Sequence, residues 1–149
     1  MVVHPFENTI IEQYKKHHLL FPGTDLLPDF ELKTLRAVQT VAGEIDDRFE
    51  TWFDALEYMY QKAMEIDFDV AIIGCGAYGL PLAAKIKASG KQAIHLGGVT
   101  QILFGIRGKR WDEEAHYDYI RKLYNDSWVH PAKEDRPKNS NRVEGGCYW

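Results

Sequence analysis

Residues 69–98 read DVAIIGCGAYGLPLAAKIKASGKQAIHLGG, an apolar run, three glycines spaced G-x-G-x-x-G, a helical stretch and a second apolar run. No other segment constrains the fold as much. The run "DVAIIG" is short and nearly all apolar, which suits a parallel strand covered on both faces. Gly74, Gly76 and Gly79 then permit a tight turn from strand into helix. The stretch "YGLPLAAKIKASG" predicts that helix, with Leu80, Ala83, Ala84 and Ile86 facing the sheet. Pro81 is tolerated in a first turn, where its missing N–H would be unpaired anyway, and Gly90 supplies the stop. "KQAIHLGG" reads as the neighbouring strand and "VTQILFG" as a short helix after it.

The rest of the chain extends the alternation. After Pro5, the spacing of Phe6, Ile10 and Tyr14 predicts a helix ending near His18, with His17 and His18 as solvated caps at its polar end in preference to ligands. Alternating and β-branched residues ending at Gly43 predict a strand near residues 34–41. Phe49, Trp52, Phe53, Leu56, Met59, Tyr60 and Ala63 form a broad apolar stripe at helical spacing, which packs on a sheet. Thr51 caps that helix, with Asp54 three residues on as an imperfect capping box. "RGKRWD" reads as a loop, "DEEAHYDYIRKLYND" as one further helix. Strands alternating with helices imply an α/β protein, a Rossmann-like three-layer parallel sheet with helices on both faces. It spans residues 1–126, and residues 127–149 form an irregular tail packed on the domain. The initial "VVH" reads as a buried strand without lead-in. It suggests a domain lacking an N-terminal part, with "VVH" or the 34–41 strand left as an open edge that favours a homodimer.

Composition narrows the classes. The chain has 149 residues, enough for one buried core, and a formal net charge of −4, which argues against a nucleic-acid partner. No apolar stretch nears the ~20 residues of a membrane span. "MVVHPFENT" lacks the basic start and apolar core of a signal peptide, so a cytoplasmic protein is the reading. Cys75 and Cys147 have neither metal-ligand spacing nor a disulfide framework.

The glycine turn carries the chemistry. Free N–H groups at a helix start, with the helix dipole behind them, favour a phosphate. Gly74, Gly76 and Gly79, with Ala77 and Tyr78 in the turn, are therefore candidate ligand contacts. So are His95, Gly97 and Gly98 at the end of the next strand, and Thr100 and Gln101 opening the helix after it, because α/β ligands bind at the carboxyl ends of parallel strands. Arg107, Lys109 and Arg110 in "GIRGKRW" complete the set as phosphate partners. NAD is disfavoured. The dinucleotide fingerprint calls for an acidic residue about 20 positions on, and "AIHLGG" has none. The same lack disfavours S-adenosylmethionine. Structural roles stay open: packing of helix on strand for the glycines, a packed or hydrogen-bonded core place for His95, and a solvated loop for Arg107, Lys109 and Arg110.

These residues also carry a resemblance. "DVAIIGCGAYGLPLAAKIKASGKQAIHLGGVTQILFGIRGKRW", "HPF", "VQTVAG", "TWFDAL" and the ending "VEGGCYW" resemble the C-terminal half of a family of uncharacterised bacterial proteins found among polysaccharide-biosynthesis genes. Their strand–glycine–helix–strand layout is similar to GT-D type glycosyltransferases. The resemblance implies a glycosyltransferase-like protein that binds a nucleotide sugar, and an N-terminal half not contained in this chain. Those transferases carry an acidic D-x-E motif near the first strand. Asp29-Phe30-Glu31 and Asp112-Glu113-Glu114 do not sit that way, so no metal site or catalytic residue is transferred, and a divalent metal stays open as a cofactor. The alternatives are a non-catalytic assembly or binding module and, third, an NAD- or SAM-type enzyme.

Overall fold

The computed structural model describes residues 1–40, 43–143 and 145–149. Its centre is a four-stranded, all-parallel sheet in the order β2-β1-β3-β4, built from β1 (Val2–His4), β2 (Thr34–Arg36), β3 (Val70–Ile73) and β4 (Gln92–His95). The chain winds from β1 to β2 on one side and then returns to place β3 on the other, so the winding reverses between β1 and β3. In register, Val2 and Val3 face Thr34 and Leu35 on one side and Ile72 and Ile73 on the other. β1 is thus interior. The sheet's edges are β2 and β4, which corrects the expectation that "VVH" is an open edge.

Period-2 alternation splits the core between the two faces. Val3, Ala71 and Ile73 look one way. They pack on α2 (Trp52–Met64) and α3 (Gly79–Ala88) through Ala55, Met59, Leu82 and Ile86. Val2 and Ile72 look the other way, toward Phe6 and Ile10 of the α1 (Glu7–Tyr14) region and toward Phe104 and Ile106 beyond α4 (Val99–Leu103). Each fully buried side chain of this size contributes about 1.5–3 kcal/mol. The result is the three-layer α/β arrangement that the alternation implies.

Local signals explain the elements. The Thr51 hydroxyl accepts the Asp54 N–H at 3.2 Å, and the Asp54 carboxylate accepts the Thr51 N–H at 2.8 Å, so the capping box is complete in both directions. Gly90, at φ +89°, closes α3. Two side-chain assignments on α3 are corrected: Leu80 is 67% exposed and Ala84 is exposed, while Leu82 faces the sheet with Ala83 and Ile86. The inward stripe is Gly79, Leu82, Ala83 and Ile86, at i, i+3, i+4 and i+7, and a 3₁₀ turn, Gly76–Tyr78, precedes the helix.

Downstream, "RGKRWD" is not all loop. Lys109–Glu113 forms α5, because Trp111 is buried and the Cys147 carbonyl accepts the Arg110 N–H at 2.8 Å. Nor is 112–126 one helix: Glu114 adopts an extended conformation, which breaks it into α5, a 3₁₀ turn and α6 (Asp118–Arg121). The strand expected over 34–41 ends at Arg36, residues 37–40 continue outside the strand, and Val41 lies outside the described residues.

The tail is held by specific contacts. Trp128 donates from Nε1 to the Leu20 carbonyl (3.1 Å), and its ring meets Phe21 edge-on. Asp135 accepts the Thr9 N–H (3.0 Å), the Thr9 hydroxyl (2.6 Å) and the Arg36 guanidinium (2.8 Å). It thereby caps α1, whose own N-cap residue, Phe6, makes no side-chain cap. Among the described residues no helix is long and apolar enough to cross a membrane.

Candidate ligand site at the carboxyl ends of the strands

A cavity of about 440 Å³ opens where the winding reverses, at the carboxyl ends of β1 and β3. Open α/β sheets bind ligands at this position, and pockets of roughly 300–1,000 Å³ hold small molecules. β1 and its continuation supply His4, Pro5 and Phe6. Val38, Gln39 and Thr40 follow β2, and Trp52 comes from the start of α2. The glycine turn supplies Gly74 to Tyr78, the loop after β4 supplies Gly97, Gly98 and Gln101, and the tail supplies Val143, Tyr148 and Trp149. Among these described residues none is Asp, Glu, Lys or Arg.

The glycines have different physical reasons. Gly76 sits at φ +57° with nothing within 4 Å of the position a Cβ would take, so its backbone requires the left-handed region and its surface is open. Gly74 is a matter of room: a Cβ there would lie 2.5 Å from the Thr100 hydroxyl and 2.7 Å from both the Gly97 carbonyl and the His4 ring. Gly76 and Ala77 are exposed at the rim, while Gly74, Cys75 and Tyr78 are buried below it. The N–H groups of Gly76 and Ala77 open the helical segment, where no intrahelical acceptor exists. Neither donates to a described residue.

Aromatic rings form the walls. Trp52 and Tyr78 stack at 4.8 Å with their planes 5° apart, and the Tyr78 hydroxyl lies 3.1 Å from that of Thr40. Opposite them, Tyr148 packs on Trp111 and Trp149, and Trp149 meets Phe6 edge-on at 6.1 Å. His4 is 4% exposed. Its Nδ1 accepts the Phe6 N–H at 3.0 Å, which fixes the neutral proton on Nε2. Burial pushes its pKa down to about 3. Cys75 behaves in the opposite sense: burial pushes the thiol up to about 12, so it is a thiol and not a nucleophilic thiolate near neutrality.

Seven of the sequence-derived contacts therefore meet at one cavity: Gly74, Gly76, Ala77, Tyr78, Gly97, Gly98 and Gln101. The other six do not line it. The His95 ring lies over Gly79, where an added Cβ would approach within 2.3 Å of Nδ1, and the pair serves the packing of α3 on β4. Thr100 is wholly buried behind Gly74, and its hydroxyl has no partner among the described residues. Arg107 pairs with Asp112 at 3.3 Å and lies over the Tyr124 ring. Lys109 donates to the Gly145 carbonyl at 3.3 Å, and Arg110 covers the Tyr148 ring and donates to its hydroxyl at 3.2 Å. The basic loop is thus turned to the tail and to its own helix. Gln101 shares that task, because its Nε2 donates to the Tyr148 carbonyl at 3.2 Å.

His4, Trp52, Tyr148 and Trp149 were not among those contacts. For His4 the signal was present, since the last residue of a parallel strand stands at the ligand-binding end of a sheet. For Tyr148 and Trp149 a signal was present too: both are costly to leave in water, and Gly145 and Gly146, at positive φ, permit the turn that folds them back toward Trp111. The two acidic triplets lie away from the cavity: Asp29 pairs with His17, and Asp112 with Arg107 and His130. Among the described residues no group of three His, Cys, Asp or Glu is placed to hold a metal ion. No protein-family model, no characterised protein and no solved structure shows significant similarity to this chain.

Proposed function

We propose that the chain binds a nucleotide sugar in the cavity between the ends of β1 and β3, as a glycosyltransferase-like protein of polysaccharide biosynthesis. One observation carries the binding reading: at the winding reversal, partner-free N–H groups of a helix start form the rim of an aromatic-walled cavity. Such N–H groups suit a phosphate, and the aromatic walls suit a ring. The sequence likeness of residues 69–111 supports the polysaccharide context. No residue is assigned a catalytic role, and any divalent metal would arrive with the phosphates, because no carboxylate among the described residues lines the cavity. The test is calorimetric titration with UDP- and GDP-sugars, with and without a divalent metal, and with NAD as control. Weak, metal-sensitive binding of a nucleotide sugar and none of NAD is expected. Tight NAD binding, or heat from none of the nucleotides, would overturn the reading.

A second reading, a non-catalytic assembly module, is favoured by β4. Among the described residues it pairs only with β3, and it exposes Gln92, His95 and 49% of Ile94. An open edge of this kind is a template for a second chain. A homodimer is expected by light scattering at high concentration, and a monomer there argues against it.

A further inference from the structure

We infer that the cavity floor takes an uncharged ring bearing an acceptor oxygen, which the His4 imidazole meets with its Nε2–H, while the phosphates stay at the glycine rim. This rests on the nucleotide-sugar reading and divides that ligand between the two ends of the site.

The division follows from where polarity is placed. At the rim, Gly76 and Ala77 are exposed and offer backbone N–H groups, the chemistry of an anion site. Deeper in the lining, beside the Trp149 indole, stands His4, and it is nine-tenths buried. Its Nδ1 is already committed to the Phe6 N–H. The proton must therefore sit on Nε2, and no described residue accepts it. Nε2 is not among the side-chain atoms sealed without a partner, so it stays reachable from the cavity that His4 lines, and an oxygen entering there meets a fixed donor that no described residue uses. Burial keeps the imidazole neutral, so it brings direction and no charge. A phosphate on the floor would lose its water against a neutral donor and apolar walls, with no cation among the described lining residues to offset the loss. A base or a sugar loses far less, and gains contact with the aromatic lining of Trp52, Tyr78, Tyr148 and Trp149.

The base and the sugar share this chemistry, and the experiment separates them. Nitrogen-labelled protein is titrated with UDP-glucose, uridine, methyl glucoside and inorganic pyrophosphate, and the His4 Nε2–H signal is followed. UDP-glucose and one of the two uncharged fragments are expected to shift it, and that fragment identifies the buried end. Pyrophosphate is expected to leave it in place. In parallel, His4→Phe keeps a flat ring and removes the donor. Its affinity for UDP-glucose is expected to fall about tenfold, and that for pyrophosphate to stay. Should His4→Phe fail to fold, the signal of the native chain decides alone. UDP-glucose bound by His4→Phe at native strength, or a His4 signal moved by pyrophosphate as strongly as by UDP-glucose, overturns the ring placement and leaves the nucleotide-sugar reading standing. UDP-glucose failing to bind the native chain overturns that reading instead. The ring placement then falls too if neither uncharged fragment moves His4, and stands if one does.

Discussion

His4 is neutral in the fold because burial opposes its charge, and the effect is visible in stability. The folded pKa is about 3 and the unfolded value about 6.5. Above pH 6.5 both states are neutral and the group contributes nothing. Between 6.5 and 3 only the unfolded chain takes up the proton, so stability falls with pH by about 1.4 kcal/mol per unit. Urea unfolding at pH 7, 5 and 4 should show this slope. His4→Gln, which cannot titrate, should lose that part of it, and equal slopes in the two proteins would contradict the burial argument. Gly74 is a second residue-scale case. A Cβ at Gly74 collides with the Gly97 carbonyl and the Thr100 hydroxyl, so Gly74→Ala should destabilise the chain by several kcal/mol, measured by the same unfolding. A loss below ~1 kcal/mol would mean that the turn after β3 can move aside.

At the scale of elements, the tail is a working part of the structure. Asp135 caps α1 from a distance of 126 residues and also takes the Arg36 guanidinium from β2. Its side chain has no exposure, whereas that of Arg36 is 42% exposed. Removing the carboxylate strands the two Thr9 donors and loosens a helix start. Asp135→Ala should therefore cost about 2–4 kcal/mol in thermal or urea unfolding, while Asp135→Asn, which can still accept, should cost less. Equal losses from the two would put the effect on packing and not on hydrogen bonding. Nothing local in "AKEDRPKN" announces this role, since the partners come from Thr9 and Arg36. The capping box of α2, by contrast, was legible because Thr51 and Asp54 are three residues apart. The same contrast separates the two halves of the site. The glycine turn could be read from spacing, and the turn of Lys109 and Arg110 toward Gly145 and Tyr148 could not. Leu80 and Ala84 were misplaced for a smaller reason: the inward stripe of α3 is Gly79, Leu82, Ala83 and Ile86, at i, i+3, i+4 and i+7, and it starts on a glycine, which has no apolar side chain to mark it.

For the whole molecule, alternation of strand and helix was enough to give a parallel sheet between two helical layers. Strand order was not contained in that pattern. Once β1 lies between β2 and β3, the winding reversal fixes the place of the cavity, and His4, the glycine turn and the tail aromatics meet there. The central claim is that the glycine turn serves a ligand at this place and not packing alone. Gly76 separates the two, because a Cβ on it meets nothing in the free chain, and its φ of +57° strains an unbranched side chain by roughly 1–2 kcal/mol and a β-branched one by more. The most direct measurement is calorimetric titration of native protein, Gly76→Ala and Gly76→Val with the nucleotide sugar that binds best, after each is shown to unfold cooperatively. The expected result is folded variants, less stable than the native chain, that have lost the nucleotide sugar. A folded variant that binds it as the native chain does would contradict the claim.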